Sequence, residues 1–70
     1  MAVIKTIDLV GVSEESWDDA ARQALKEAAK TIRHIETVDV LEQTAVVNDA
    51  GEIEEFQTHV RIHFRLQRGL

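Results

Sequence analysis

The chain has 70 residues, 44% of them hydrophobic, no cysteine and a formal net charge of −5, so it admits one domain whose core is too small to be comfortable alone. Without cysteine there is no disulfide or thiolate metal site to supplement that core, which leaves self-association as the ordinary source of extra stability. The negative balance argues against nucleic acid, whose affinity comes from Lys and Arg displacing counterions, and no apolar run approaches the roughly 20 residues of a membrane span; with no leader pattern in the first ten residues, a soluble cytoplasmic protein is expected.

Residues 2–10 (Ala-Val-Ile-Lys-Thr-Ile-Asp-Leu-Val) are rich in β-branched side chains and carry no helical stripe, which predicts a first strand broken at Gly11. Ser13 is the expected N-cap of a helix, with Glu14, Glu15, Asp18 and Asp19 placing negative charge in its first turns and Val12 stapled against Trp17. Apolar positions at Trp17, Ala21, Ala24, Leu25, Ala28, Ile32 and Ile35 then form one stripe. The many alanines on it predict close approach to a curved sheet, while Lys26, Lys30, Arg33 and His34 suit the carboxyl end of the dipole.

Thr37 to Val47 reads as a second strand with Val38 and Val40 on one face and Asp39 and Leu41 on the other. Asn48-Asp49-Ala50-Gly51 is a turn, because Asn and Asp tolerate unusual backbone angles and Gly supplies a positive φ. From Glu54 to Leu66 the even positions Phe56, Thr58, Val60, Ile62, Phe64 and Leu66 are mainly apolar, and the odd positions Gln57, His59, Arg61, His63 and Arg65 are polar. That alternation predicts a strand with one buried and one polar face, about 40 Å long. A right-handed crossover from the first strand to the second leaves room for the third between them. The expected fold is α+β with order β-α-β-β: a three-stranded antiparallel sheet, strand order 1-3-2, wrapped around one helix, with Phe56, Val60, Ile62 and Phe64 under the helical stripe. The long strand exceeds what one helix can cover, so a second copy is expected on the surplus.

No catalytic constellation is visible. His59 and His63 are four apart on a strand, about 13 Å, so one chain cannot join them on one ion; solvated or interface histidines are the simpler reading, and His34 reads as charge trim at the helix end. Asp49, Glu52, Glu54 and Glu55 cluster around the turn with the oxygen chemistry that a hard cation such as calcium takes, Asp49 and Glu52 being the candidate ligands. The EF-hand pattern is absent, and a solvated acidic loop is the plainer explanation. Single glycines at Gly11 and Gly51 make no phosphate cradle, Trp17 reads as packed, and Lys5, Arg61 and Arg65 can pair with Asp8, Glu42 and Glu55.

Four stretches give the chain a family likeness: Leu9-Val10-Gly11-Val12-Ser13-Glu14-Glu15-Ser16-Trp17; the alanines Ala20, Ala21, Ala24 and Ala28; Val38-Asp39-Val40-Leu41-Glu42-Gln43; and Phe56-Gln57 through Val60 to Phe64-Arg65-Leu66. In these it resembles the dodecins over nearly its whole length, which implies a single dodecin-like domain over residues 1–70 and a hollow homododecameric shell that binds or stores flavin (riboflavin or FMN) rather than catalysing a reaction. In flavin-binding members a tryptophan opening the second strand stacks on the isoalloxazine ring and a glutamine on the third strand hydrogen-bonds to it. Gln57 matches the glutamine, whereas the tryptophan position falls on Thr37, so Thr37 and Gln57 are the expected ligand-lining residues and the aromatic platform is missing. The resemblance to a calcium-binding branch that also lacks this tryptophan implies the alternative, a flavin-free shell in which calcium offsets the mutual repulsion of many acidic copies.

Overall fold

The computed structural model of the chain describes residues 2–66. Its elements are β1 (Val3–Ser13), α1 (Trp17–Ala29), β2 (Ile35–Val47) and β3 (Ile53–Leu66). The sheet is ordered β1-β3-β2 with both pairs antiparallel, as the alternation of β3 and the crossover rule predict.

Gly11 does not break the first strand. β1 continues through it to Ser13, opposite Thr58 and Phe56 of β3. Its lack of a side chain serves packing instead: a Cβ at Gly11 would stand 1.8 Å from the Ala20 carbonyl oxygen and 3.2 Å from the Ala24 Cβ. The glycine thus lets the first turns of α1 lie directly on the strand.

The helix start is displaced from its predicted place. Ser16, not Ser13, is the N-cap: its backbone is extended and its hydroxyl accepts the Asp19 amide at 3.0 Å. Ser13 closes β1, buried, donating its hydroxyl to Asp19 Oδ2 at 2.7 Å and accepting the Glu15 amide at 2.9 Å. The Val12–Trp17 staple does not form, because Val12 points to the opposite side of the sheet beside Gln57 and is 46% exposed. Trp17 packs edge-on against Phe56, ring centroids 4.9 Å apart, and its indole N–H donates to the Thr44 carbonyl at 3.0 Å. It remains only half-buried.

α1 ends at Ala29, so Ile32 lies in the following turn and Ile35 opens β2 rather than extending the helix. His34, at φ 63°, turns the chain between them. The face that α1 buries is the line Ala20, Ala24 and Ala28, with Ala21 and Leu25 at its margins. Beneath it Val60 and Ile62 of β3 are fully covered, joined by Ile7, Leu9, Ile32, Ile35 and Val38. Removing such an aliphatic side chain from water is worth about 1.5–3 kcal/mol. Phe56 and Phe64, expected under the stripe with them, are only half-covered, because 13 helical residues span about 20 Å while 14 strand residues span about 46 Å. The chain is accordingly elongated, 59 × 19 × 13 Å. Val3, Ile4, Val10, Val12, Val40, Leu41, Val47 and Ile53 remain exposed along the uncovered sheet.

Candidate functional site

The sheet face away from α1 carries the polar set of β3, namely Glu55, Gln57, His59, Arg61, His63 and Arg65, because residues two apart on a strand share a face. Direct cross-strand partners share it too. Thus Val12, Val10, Asp8, Thr6 and Ile4 of β1 line one side and Thr44, Glu42, Asp39 and Thr37 of β2 the other. Register shifts at Ile35/Thr37 and Val40/Glu42 keep β2 aligned by letting Glu36 and Leu41 bulge.

Opposite charges ladder along this face. Asp8 accepts from Arg61 Nε at 2.8 Å and Nη2 at 3.0 Å, and its Oδ2 lies 3.0 Å from His59 Nε2. The Arg61 guanidinium, helped by His59, holds the Asp8 carboxyl below its ordinary range against the opposing effect of partial desolvation. Glu36 is lowered in the same way by the Arg65 guanidinium, which it meets through Nε at 2.6 Å and Nη2 at 3.1 Å. Each arginine is correspondingly raised by its carboxylate. His63 Nε2 meets Asp39 Oδ2 at 2.9 Å. Of the ion pairs expected from sequence, Arg61–Asp8 is present, whereas Arg65 takes Glu36 rather than Glu42 or Glu55. The bulge at Glu36 brings that carboxylate alongside Arg65, a position that strict alternation does not reveal.

Gln57 lies half-buried between Val12 and Thr44, and its amide nitrogen donates to Glu55 Oε2 at 2.9 Å. Thr37 is exposed and opposite His63. The two therefore share the uncovered face but stand six β3 positions apart, about 20 Å. One chain does not bring them together.

At the hairpin tip Gly51 supplies the positive φ expected of the turn, at 80°. The Asn48 side-chain oxygen accepts the amides of Ala50 and Glu52, both at 2.9 Å, and Asn48 Nδ2 lies 3.5 Å from Glu52 Oε1. Asp49 is exposed. Among the described residues no three His, Asp or Glu side chains converge as a metal cage within one chain, and no helix is long and apolar enough to cross a membrane. A shallow depression of about 380 Å³ lies beyond the C-terminal end of α1, lined by Thr31, Ile32, Arg33, His34, Phe64, Arg65 and Leu66.

A family model described as Dodecin matches residues 3–67. A dodecin from Thermus thermophilus is 38% identical over 65 residues, 93% of each chain. A calcium dodecin from Mycobacterium tuberculosis is 33% identical over 67 residues, 96% of this chain and 93% of that one. The crystal structure of a T. thermophilus protein superposes with a TM-score of 0.90 at 36% identity, covering 99% of this chain and 100% of that one.

Proposed function

Because the chain belongs to the dodecin family, we propose that it assembles into a closed shell of twelve copies that binds and stores a small planar molecule of the flavin type in the cytoplasm without transforming it. The observation that carries this is the uncovered sheet face: Gln57 offers a half-buried amide there beside the exposed Val12, and Thr37 lies about 20 Å along the same face. Two residues so separated meet one ring system only when different subunits supply them, so binding and assembly are coupled. The eight exposed large aliphatic side chains among the described residues are the surface that assembly would cover. Flavin binding here lacks an aromatic platform at Thr37, so contact with the ring comes from Gln57 and aliphatic neighbours, and affinity falls below that of a tryptophan-bearing relative.

Riboflavin fluorescence, titrated with purified protein in the presence and absence of a chelator while sedimentation follows the assembly, tests this. Saturable quenching by the intact shell is expected. An intact shell that leaves riboflavin fluorescence unchanged overturns it.

The likeness to the M. tuberculosis protein called calcium dodecin, together with Asp49 and Glu52 at each hairpin tip, supports a second reading in which the shell binds calcium and cations relieve the repulsion of its acidic copies. In that case a chelator lowers the melting temperature of the shell and calcium restores it.

A further inference from the structure

We infer that Glu55 is a positioning residue that fixes which edge of the Gln57 amide meets the ligand, and so selects planar heterocycles presenting an imide, an N–H flanked by carbonyls. This rests on the proposed ligand role of Gln57 and extends it to the chemistry that Gln57 accepts. A primary amide is nearly symmetric in shape, and its two ends have opposite hydrogen-bonding character. Left alone on a strand, Gln57 would offer either its oxygen or its nitrogen to a ligand. Glu55 removes that freedom: two residues back on the same face of β3, its Oε2 lies 2.9 Å from Gln57 Nε2. An ionised carboxylate only accepts, so the end of the amide facing it is the nitrogen, and a charged acceptor holds that donor more firmly than a neutral one.

The remaining groups are the amide oxygen and the second N–H. An oxygen held outward takes an N–H donor, and the adjacent N–H takes a carbonyl next to that donor. A cyclic imide supplies both on one edge, as the pyrimidine ring of an isoalloxazine does. A ring with the imide nitrogen alkylated leaves the oxygen of Gln57 unpaired in a half-buried place, the kind of mismatch that polar sites reject strongly. Val12 and Thr44, the direct cross-strand neighbours of Gln57, flank it on either side without offering a carboxylate that would compete for the amide.

The test compares riboflavin with its 3-methyl derivative on the assembled protein and on Glu55→Gln. The wild-type shell should prefer riboflavin at least tenfold, and the preference should fall to threefold or less in Glu55→Gln, whose neutral amide allows Gln57 to turn over. A preference unchanged by the substitution overturns the role of Glu55 while leaving flavin binding intact. If neither flavin binds the wild-type shell, the flavin reading fails by itself, and the Gln57 side-chain amide resonances still decide the role of Glu55. They should move clearly between wild type and Glu55→Gln, and resonances that stay in place overturn it.

Discussion

Replacing Gly11 by alanine adds one methyl group at the closest approach of helix and strand. That Cβ would stand 1.8 Å from the Ala20 carbonyl oxygen and 2.7 Å from its carbon, both backbone atoms that no rotamer change can withdraw. Relief requires α1 to move off β1 by more than about 1 Å, since Cβ contacts below roughly 3 Å are essentially never tolerated. The movement would open the contacts of Ala24 and Ala28 on Val60 and Ile62, the buried apolar cluster among the described residues. Overpacking in a tight core costs about 1–3 kcal/mol. With a rigid backbone as the obstacle and so little core to absorb the shift, about 3 kcal/mol per chain is expected. For a domain of this size that corresponds to a melting temperature lower by roughly 12–24 °C, read by circular dichroism at fixed protein concentration because assembly links melting to concentration. A Gly11→Ala protein that melts within a few degrees of wild type would show that α1 does not rest on the strand at this point.

Ser16→Ala should cost about 1 kcal/mol in urea unfolding, with the slope unchanged, by leaving the Asp19 amide without its cap; an equal or larger loss from removing the Glu14 charge instead would move the helix start. Asp8 and Glu36 have carboxyl groups held below their ordinary values of 3.8 and 4.5 by Arg61 and Arg65. Their contribution to stability is therefore complete above those values and is lost as pH falls through the lower folded-state ones. Asp8→Asn should flatten the loss of stability on acidification below about pH 4, and a pH profile parallel to wild type would deny Asp8 this role. Thr37→Trp should tighten riboflavin binding up to about tenfold by restoring a stacking surface, and unchanged affinity would mean that the pocket departs from the flavin-binding pattern at more than this residue.

The parts of the fold legible in the sequence are those with a period. β3 alternates from Phe56 to Leu66, with Thr58 as a polar member of the apolar set, and that alternation assigns Val60 and Ile62 to the core and Arg61 and His63 to the other face. The central place of β3 follows from chirality once the helix between the first two strands is recognised. What was illegible depends on a single distant contact. Gly11, set among valines, looks like punctuation, and only the proximity of Ala20 makes it a packing residue inside a continuous strand. Ser13, followed directly by Glu14 and Glu15, looks like the helix start, yet the cap is Ser16. Ser16 and Asp19 have the capping spacing, while the Ser13 hydroxyl is taken up by the Asp19 carboxylate of α1 and the Glu15 amide.

The site was less legible than the fold for a different reason. Thr37 and Gln57 can be named from a family pattern, but periodicity within one chain offers no reason for them to act together, and the sheet sets them about 20 Å apart. Glu55 is within reach of the sequence, since alternation already puts it on the face of Gln57, but among the acids near the turn it looks like one more charge, because charge alone says nothing about which donor a carboxylate holds. Its hydrogen bond to Gln57 gives a reason for an acid at that position distinct from solubility or cation binding. On the proposed function, the hairpin carboxylates Asp49 and Glu52 and the sheet carboxylate Glu55 have separable consequences: removing the first two should alter any calcium dependence of the assembly, whereas removing Glu55 should alter which flavin is preferred. If Glu55→Gln instead abolished calcium-dependent stability and left flavin preference untouched, the acidic residues would act as one ion-binding group, and the division between the sheet and the hairpin tip would be wrong.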